Sequence, residues 1–203
     1  AWEVALQGSP KNPTASAKLY SQRIRIRGEL LEAPEATLLY ENETLFLEKA
    51  RISWKDVLFE GQGEIRNLLG TRNMKIQASA LPQGNRWARE ALSPEIRKFF
   101  APQGGGKLSL LLEGTPENLK GSLSGILPQI ETPLGTTGRG SLEAAITSRG
   151  VQISSLSIPL RQGEFKFGGS LERTPSGGLQ SSLDGHIRNI SLEASGMPLK
   201  GTL

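Results

Sequence analysis

Cysteine is absent from this 203-residue chain, and histidine, aspartate and aromatic residues are scarce. The missing thiols exclude disulfides, thiol catalysis and thiolate metal sites. The single histidine, His186, and the two aspartates, Asp56 and Asp184, are too few for a catalytic triad or a histidine-rich metal site. No apolar run reaches the roughly 18 residues that a membrane-spanning helix needs. We therefore expect neither an enzyme nor a bound cofactor or metal.

Positive charge is in slight excess, with a formal net charge of +4 and an isoelectric point near 9.5. Lysine and arginine are scattered along the chain, and no basic run alternates with aromatic residues as in a nucleic-acid groove. We expect no nucleic-acid partner. The basic residues are then either an ordinary solvated face or a contact for anionic lipid head groups.

Alternation of apolar and polar residues dominates the sequence. It is clear at 2–7 (WEVALQ), at 74–78 (MKIQA) and at 165–167 (FKF). A period of two places apolar side chains on one face of a half-buried strand and polar side chains on the other, so His186, between Gly185 and Ile187, should lie on the polar face. Turn-forming residues separate the runs at 8–13, 81–85, 114–118 and 173–178. This spacing predicts an all-β, antiparallel meander of roughly 14 strands.

One stretch departs from the alternation. Residues 85–103 have helical character, and Ser93 followed by Pro94 is a typical helix start. We predict a short helical insert near 85–101. It divides the chain into a β block at 1–82, an insert at 83–103 and a second β block at 104–203.

Glycine recurs two residues before leucine or isoleucine, as in GSL at 121–123, 140–142 and 169–171. Positions i and i+2 of a strand share a face, so glycine and leucine alternate along the apolar side. Glycine removes bulk there and permits bending, which predicts a curved sheet with a concave apolar face. The alternative is that many of these glycines simply begin strands after turns. On the curved-sheet interpretation, valine at Gly121 or Gly125 should narrow the groove with little loss of stability.

Residues 93–192 resemble the AsmA-like superfamily of the Gram-negative envelope, which includes AsmA and TamB and, distantly, the type II secretion protein GspN. The first part of the match is EGTPENLKGSLSG, at 113–125. The second part is the pattern I-x-x-L-x-I followed by G-x-F-x-F-x-G-x-L, which falls on Ile153, Leu156, Ile158, Gly163, Phe165, Phe167, Gly169 and Leu171.

The resemblance implies a long, highly curved antiparallel sheet that is U-shaped in section, with an apolar groove for the acyl chains of phospholipids. A closed two-layer sandwich would also give one-sided strands. The candidate groove residues are Leu108, Leu110, Leu112, Leu119, Leu123, Leu142, Ile146, Ile153, Leu156, Ile158, Phe165, Phe167 and Leu171.

The resemblance further implies a periplasmic or cell-envelope location and a function in carrying lipids between the two membranes. The chain begins with Ala1, already in strand register, and we expect a piece of a longer protein whose membrane anchor lies outside it. Expected partners are an acyl-chain lipid and anchored envelope proteins, with room for an oligomer or a stack. The main alternative is a structural or interaction subunit of a secretion or pilus assembly machine, and a third is a carbohydrate-binding or enzyme-associated β-domain.

Overall fold

The computed structural model of the chain describes residues 1–9, 12–91, 101–102, 105–132, 135–160, 163–174 and 177–188. Within these ranges lie a 13-stranded antiparallel sheet, a three-stranded sheet and one short helix. The all-β class with a single helical insert is confirmed. The strands are β1 (Trp2–Ser9), β2 (Asn12–Tyr20), β3 (Arg23–Ile26), β4 (Glu29–Glu41), β5 (Thr44–Trp54), β6 (Val57–Arg66), β7 (Asn73–Pro82), β8 (Ala101–Pro102), β9 (Lys107–Gly114), β10 (Lys120–Leu127), β11 (Ile130–Thr132), β12 (Gly135–Thr136), β13 (Gly140–Thr147), β14 (Gly150–Leu160), β15 (Gly163–Arg173) and β16 (Leu179–Arg188).

The main sheet follows the order of the chain. Its strands run β1-β2-β4-β5-β6-β7-β9-β10-β13-β14-β15-β16, every neighbouring pair is antiparallel, and β3 pairs with β4 beside β2. The sheet is not closed into a barrel. The twelve strands on this path, at about 4.8 Å spacing, give the sheet a length of about 50 Å.

Tight hairpin turns fix the register of three strand pairs. The turns at Arg27–Gly28, Asn42–Glu43 and Lys55–Asp56 each have positive φ at both central residues, as in the type I′ turn. That turn matches the twist of the flanking strands, so the chain reverses without splaying the pair. Only the Gly28 turn contains a glycine that would have marked it in the sequence.

The sheet is a single layer. Strand contacts run between hydrogen-bonded neighbours, and no large side chain of the described residues is fully buried. The buried apolar residues are few: Val57, Leu58, Ala88 and Ala144. The sandwich alternative is therefore excluded for the described part of the chain, because no second sheet packs across the first.

The two long connections of the main sheet leave it at the same set of strand ends. The link from β7 to β9 contains the helix α1 (Arg86–Ala91) and β8, and the link from β10 to β13 contains β11 and β12. β8 pairs with β11, which joins the two links into the small sheet. The proposed helix start at Ser93 lies outside the described residues. β7 pairs with β9, so the main sheet continues from the strands before the predicted insert to the strands after it. The three-part division of the chain stays a prediction.

Candidate functional site

Cross-strand register gives the sheet one apolar and one polar face, because directly paired residues project to the same side. One row crosses all twelve strands of the path. It reads Val4, Ala17, Leu38, Leu47, Gly63, Ile76, Leu112, Gly121, Ile146, Val151, Leu171 and Ser181. The row shifted by one residue belongs to the other side and reads Ala5, Ser16, Leu39, Phe46, Glu64, Lys75, Glu113, Lys120, Thr147, Gly150, Glu172 and Gln180. We call the side of Val4 the apolar face and the side of Lys75 the polar face.

The predicted groove residues come together on the apolar face, with one exception. The twelve that lie there occupy β9, β10, β13, β14 and β15, and they are Leu108, Leu110, Leu112, Leu123, Leu142, Ile146, Ile153, Leu156, Ile158, Phe165, Phe167 and Leu171. Leu119 is the exception, since it precedes β10 in the turn from β9 and belongs to no strand.

The apolar face is longer than the prediction, because it continues through the first half of the chain. Residues there that the candidate set omitted are Trp2, Val4, Leu6, Leu19, Leu38, Leu45, Leu47, Ile52, Phe59, Ile65, Met74 and Ile76. The period of two at 2–7 and 74–78 was the signal for this half of the face. The family resemblance covered only 93–192, and the candidates were taken from that part.

Two adjacent alanines show that the faces differ in coverage. Ala144 is 6% exposed on the apolar face, between Leu123 and Ile153, whereas Ala145 on the polar face is exposed. The two residues are of the same type and adjacent in β13, so the difference in exposure comes from the face on which each lies. In a sheet without a second layer, neighbouring side chains must supply the cover. The larger Leu123 and Ile153 on the flanking strands can supply it at Ala144.

Glycines on the apolar face lie where neighbouring strands approach closely. Gly121 is paired with Leu112 on one side and Ile146 on the other. A Cβ added at Gly121 would meet the Leu111 carbonyl oxygen and lie 2.6 Å from Leu112 Cδ2. At Gly125, a Cβ would meet the Lys107 carbonyl oxygen in the same way. The expectation that valine at these positions costs little stability is therefore wrong, because even one carbon forces the backbones apart.

The polar face carries paired charges in open solvent. Lys75 Nζ lies 3.0 Å from Glu113 Oε1, and Lys49 Nζ lies 3.0 Å from Glu35 Oε2. Such exposed pairs each contribute little stability. Ser157 Oγ donates a 2.6 Å hydrogen bond to Glu164, which, together with Lys166, holds the pKa of that carboxyl below its usual value. His186 is exposed and paired with Lys166, so its predicted place on the polar face is confirmed.

Three shallow depressions lie on the polar face of the described structure. The largest is open to solvent where Ser79, Ser109 and Ser124 form a cross-strand row beside Glu60 and Gln77. Short serines beside longer charged and amide side chains leave these dips. On the apolar face, leucines pack against the glycine positions.

A charged cluster attaches α1 to the side of the sheet. Lys55 Nζ lies 3.3 Å from Glu29 Oε2 and 3.2 Å from Glu90 Oε2, and it is 4.6 Å from the centre of the Trp54 ring. Trp54 Nε1 donates to Glu29, and Arg86 pairs with Glu90 at 2.8 Å. We call these five residues the helix clamp, since they join the β3–β4 hairpin, the β5–β6 turn and α1.

The protonation states of the clamp are set by these contacts. The hydrogen bond from Trp54, followed by that from Lys55, lowers the pKa of Glu29, and Arg86 followed by Lys55 lowers that of Glu90. Glu90 chiefly, and then Glu29, raises the pKa of Lys55. Close to the clamp in the chain, Ala88 on α1 is 2% exposed, and the buried Val57 and Leu58 begin β6. Three of the four buried apolar residues of the described structure thus lie within three residues of a clamp residue.

The described residues contain no group of three histidine, cysteine or carboxylate side chains that could hold a metal ion. Within the same ranges, no helix has the length and apolarity needed to cross a membrane. No protein-family model matches the sequence, and neither a curated protein nor a solved structure matches it.

Proposed function

We propose that the chain is a periplasmic segment of an AsmA- or TamB-like envelope protein, and that its apolar face binds or conducts phospholipid acyl chains between membranes. The observation that carries this proposal is a row of apolar side chains and glycines that crosses eleven of the twelve strands of a single-layer sheet, from Val4 on β1 to Leu171 on β15. An apolar surface of this extent in water favours an apolar partner.

The residues of the family resemblance support the same interpretation. The side chains of Ile153, Leu156 and Ile158 on β14 share the apolar face with Phe165 and Phe167 on β15. The pattern that prompted the resemblance therefore corresponds to one side of two paired strands, as a lipid-facing surface requires.

The physical mechanism is burial of hydrocarbon along the sheet. Each methylene group removed from water contributes about 0.8 kcal/mol, so eight methylenes resting on leucine side chains would contribute about 6 kcal/mol before the cost of ordering the chain. Leucine and isoleucine offer no directional bonds, so an acyl chain could slide along the row. Arg149, exposed in the turn between β13 and β14, could meet anionic head groups.

The decisive experiment compares two adjacent leucines of β9. Leu110 is half-buried on the apolar face and Leu111 is half-buried on the polar face. We expect Leu110→Asp to reduce binding of a fluorescent phospholipid at least about tenfold, because a carboxylate on the lipid-binding surface must be desolvated. Leu111→Asp is the matched control and should leave binding within about twofold.

Circular dichroism shows whether both variants keep their strands. Equal loss of lipid binding in the two variants would contradict the proposal, since binding would not depend on the face. So would unfolding of Leu110→Asp alone, because a side chain on an open surface should tolerate a charge.

A second function is favoured by the edges of the sheet. β1 and β16 are exposed along their whole lengths, as expected for a non-enzymatic structural or interaction subunit of a GspN-like machine that recruits partners by strand addition. Native mass spectrometry of protein purified without added lipid separates the two functions. Co-purified phospholipid supports the first function, and a lipid-free mass with a stable partner supports the second.

A further inference from the structure

The exposed apolar side chains concentrate at the two ends of the sheet. On β1, Trp2 is 73% exposed and Leu6 is 78% exposed, and on β16, Leu183 is 68% exposed and Ile187 is 60% exposed. All four continue the apolar face. Among the described residues, neither β1 nor β16 has a partner strand on its outer side.

Neither edge strand carries the usual protection against pairing. Natural edges are kept apart by short strands, proline, bulges or a charge on the inward face. β1 has eight residues and β16 has ten, and neither contains proline or a register shift in its pairing. Their charged side chains, Glu3 on β1 and Asp184 and Arg188 on β16, lie on the polar face. Both edges are therefore competent to add a strand.

We propose that β1 of one copy pairs with β16 of a second copy, so that the sheets join head to tail. The path has an even number of antiparallel strands, so β1 and β16 run in opposite directions. Antiparallel pairing between copies then continues the alternation of the sheet. It also keeps the apolar faces of the two copies on the same side of the joined sheet. The strand ends that carry α1 then lie along the same edge in both copies.

One register suits both faces of the joint. With Trp2 opposite Ile187, Val4 lies opposite Gly185 and Leu6 lies opposite Leu183. Val4 against Gly185 repeats the pairing of a branched side chain with glycine seen at Leu112 and Gly121. The Phe167 ring already lies over Gly185, with Cδ1 2.5 Å from the position of an added Cβ, so a side chain larger than glycine would not fit there.

Charge favours this joint over a joint between like edges. In the same register, Glu3 lies opposite His186, with Arg188 and Asp184 each two residues away on the same face, so the joint gives Glu3 a basic neighbour. A β1–β1 joint would give Glu3 no basic side chain, because β1 contains none. A β16–β16 joint that places Asp184 opposite His186 sets Gly185 against Gly185 and leaves Trp2, Val4 and Leu6 uncovered.

The head-to-tail joint is heterologous, because it uses β1 of one copy and β16 of the next. An assembly of any length therefore keeps a free β1 edge at one end and a free β16 edge at the other. We expect a concentration-dependent series of oligomers rather than a single closed dimer. This inference does not depend on lipid binding, because it rests on the edges alone.

Cysteine crosslinking tests the register, since the chain has no cysteine of its own. Opposed residues of antiparallel strands have Cα atoms about 4.5 to 5.5 Å apart, within the range of a disulfide. Glu3→Cys and His186→Cys are prepared separately, one with a size tag, then mixed and treated with a mild oxidant. The expected product is mainly the mixed dimer. A majority of either homodimer, or no disulfide at millimolar concentration, would overturn the proposal.

A second measurement tests association directly. Leu6→Lys puts a charge on the apolar side of the joint, and Gln7→Lys puts the same charge on the polar side of the same strand. Sedimentation over a concentration series should show association weakened at least about tenfold by Leu6→Lys and less than about twofold by Gln7→Lys. Both sites are exposed, so the monomer should fold normally. Wild-type protein that stays monomeric throughout would overturn the proposal.

Discussion

The centre and the ends of this sheet carry the same kinds of side chain in different surroundings. Leu123, on β10 between Leu110 and Ala144, is half-buried, whereas Leu183 on β16 is 68% exposed. Both belong to the apolar face. In a single layer, an apolar side chain is covered only by its neighbours on both flanking strands, so the outermost strands lose half of that cover. The apolar face is thus half-covered along its length and more exposed at its two ends.

The largest expected effect comes from adding bulk at the centre. Gly121→Val should destabilise the protein by about 3 kcal/mol, because the new side chain collides with the Leu111 carbonyl and the Leu112 side chain. Gly168→Ala is the control, since its Cβ would lie 3.5 Å from the nearest atom, the Ile153 carbonyl oxygen. That change should be neutral or stabilise by up to about 1 kcal/mol. Chemical denaturation measures both changes, and equal effects would contradict the close approach at Gly121.

A smaller effect separates the centre from the end with one kind of substitution. Leu123→Ala should cost about 2 kcal/mol and Leu183→Ala about 0.5 kcal/mol or less in dilute protein, because only Leu123 loses contacts on both sides. Repeating the denaturation at high concentration sharpens the comparison. If copies join through β16, the cost of Leu183→Ala should rise with concentration while that of Leu123→Ala stays constant. Equal costs in dilute protein would mean that the two leucines are covered alike.

Much of the fold could be predicted from the sequence, because the period of two is a local signal. Residues 108–112 show this, since their alternation identified both the strand and the residues that lie on its apolar face. The type I′ turns at Asn42–Glu43 and Lys55–Asp56 were not predicted, because neither contains the glycine that usually marks such turns. Leu119 was included among the groove candidates, but it lies in the turn before β10, where no strand fixes the side on which it lies.

Other features depend on partners distant in sequence, so no local pattern reports them. Lys55 meets Glu29 and Glu90 only after three separate elements have docked. The backbone approach at Gly121 likewise depends on the position of β9. The sequence indicated that glycine was needed on the apolar face but not that a neighbouring carbonyl excludes any side chain. For this reason the predicted cost of valine at that position was too small.

The smallest expected effect concerns acid at the helix clamp. The pKa values of Glu29 and Glu90 are lower in the folded protein than in the unfolded chain, so both carboxylates stabilise the fold above their unfolded values. That contribution is lost as pH falls through the folded values. The groups are solvent-exposed, so the effect should be slight. We expect Glu90→Gln to melt slightly below wild type at about pH 7 and at the same temperature as wild type at about pH 3.

Glu113→Gln, which breaks an exposed ion pair away from α1, is the control for loss of a carboxylate. Tryptophan fluorescence follows the clamp, because Trp54 lies in it and Trp87 on α1. A gap between wild type and Glu90→Gln that persists at pH 3 would mean that Glu90 acts through packing rather than charge.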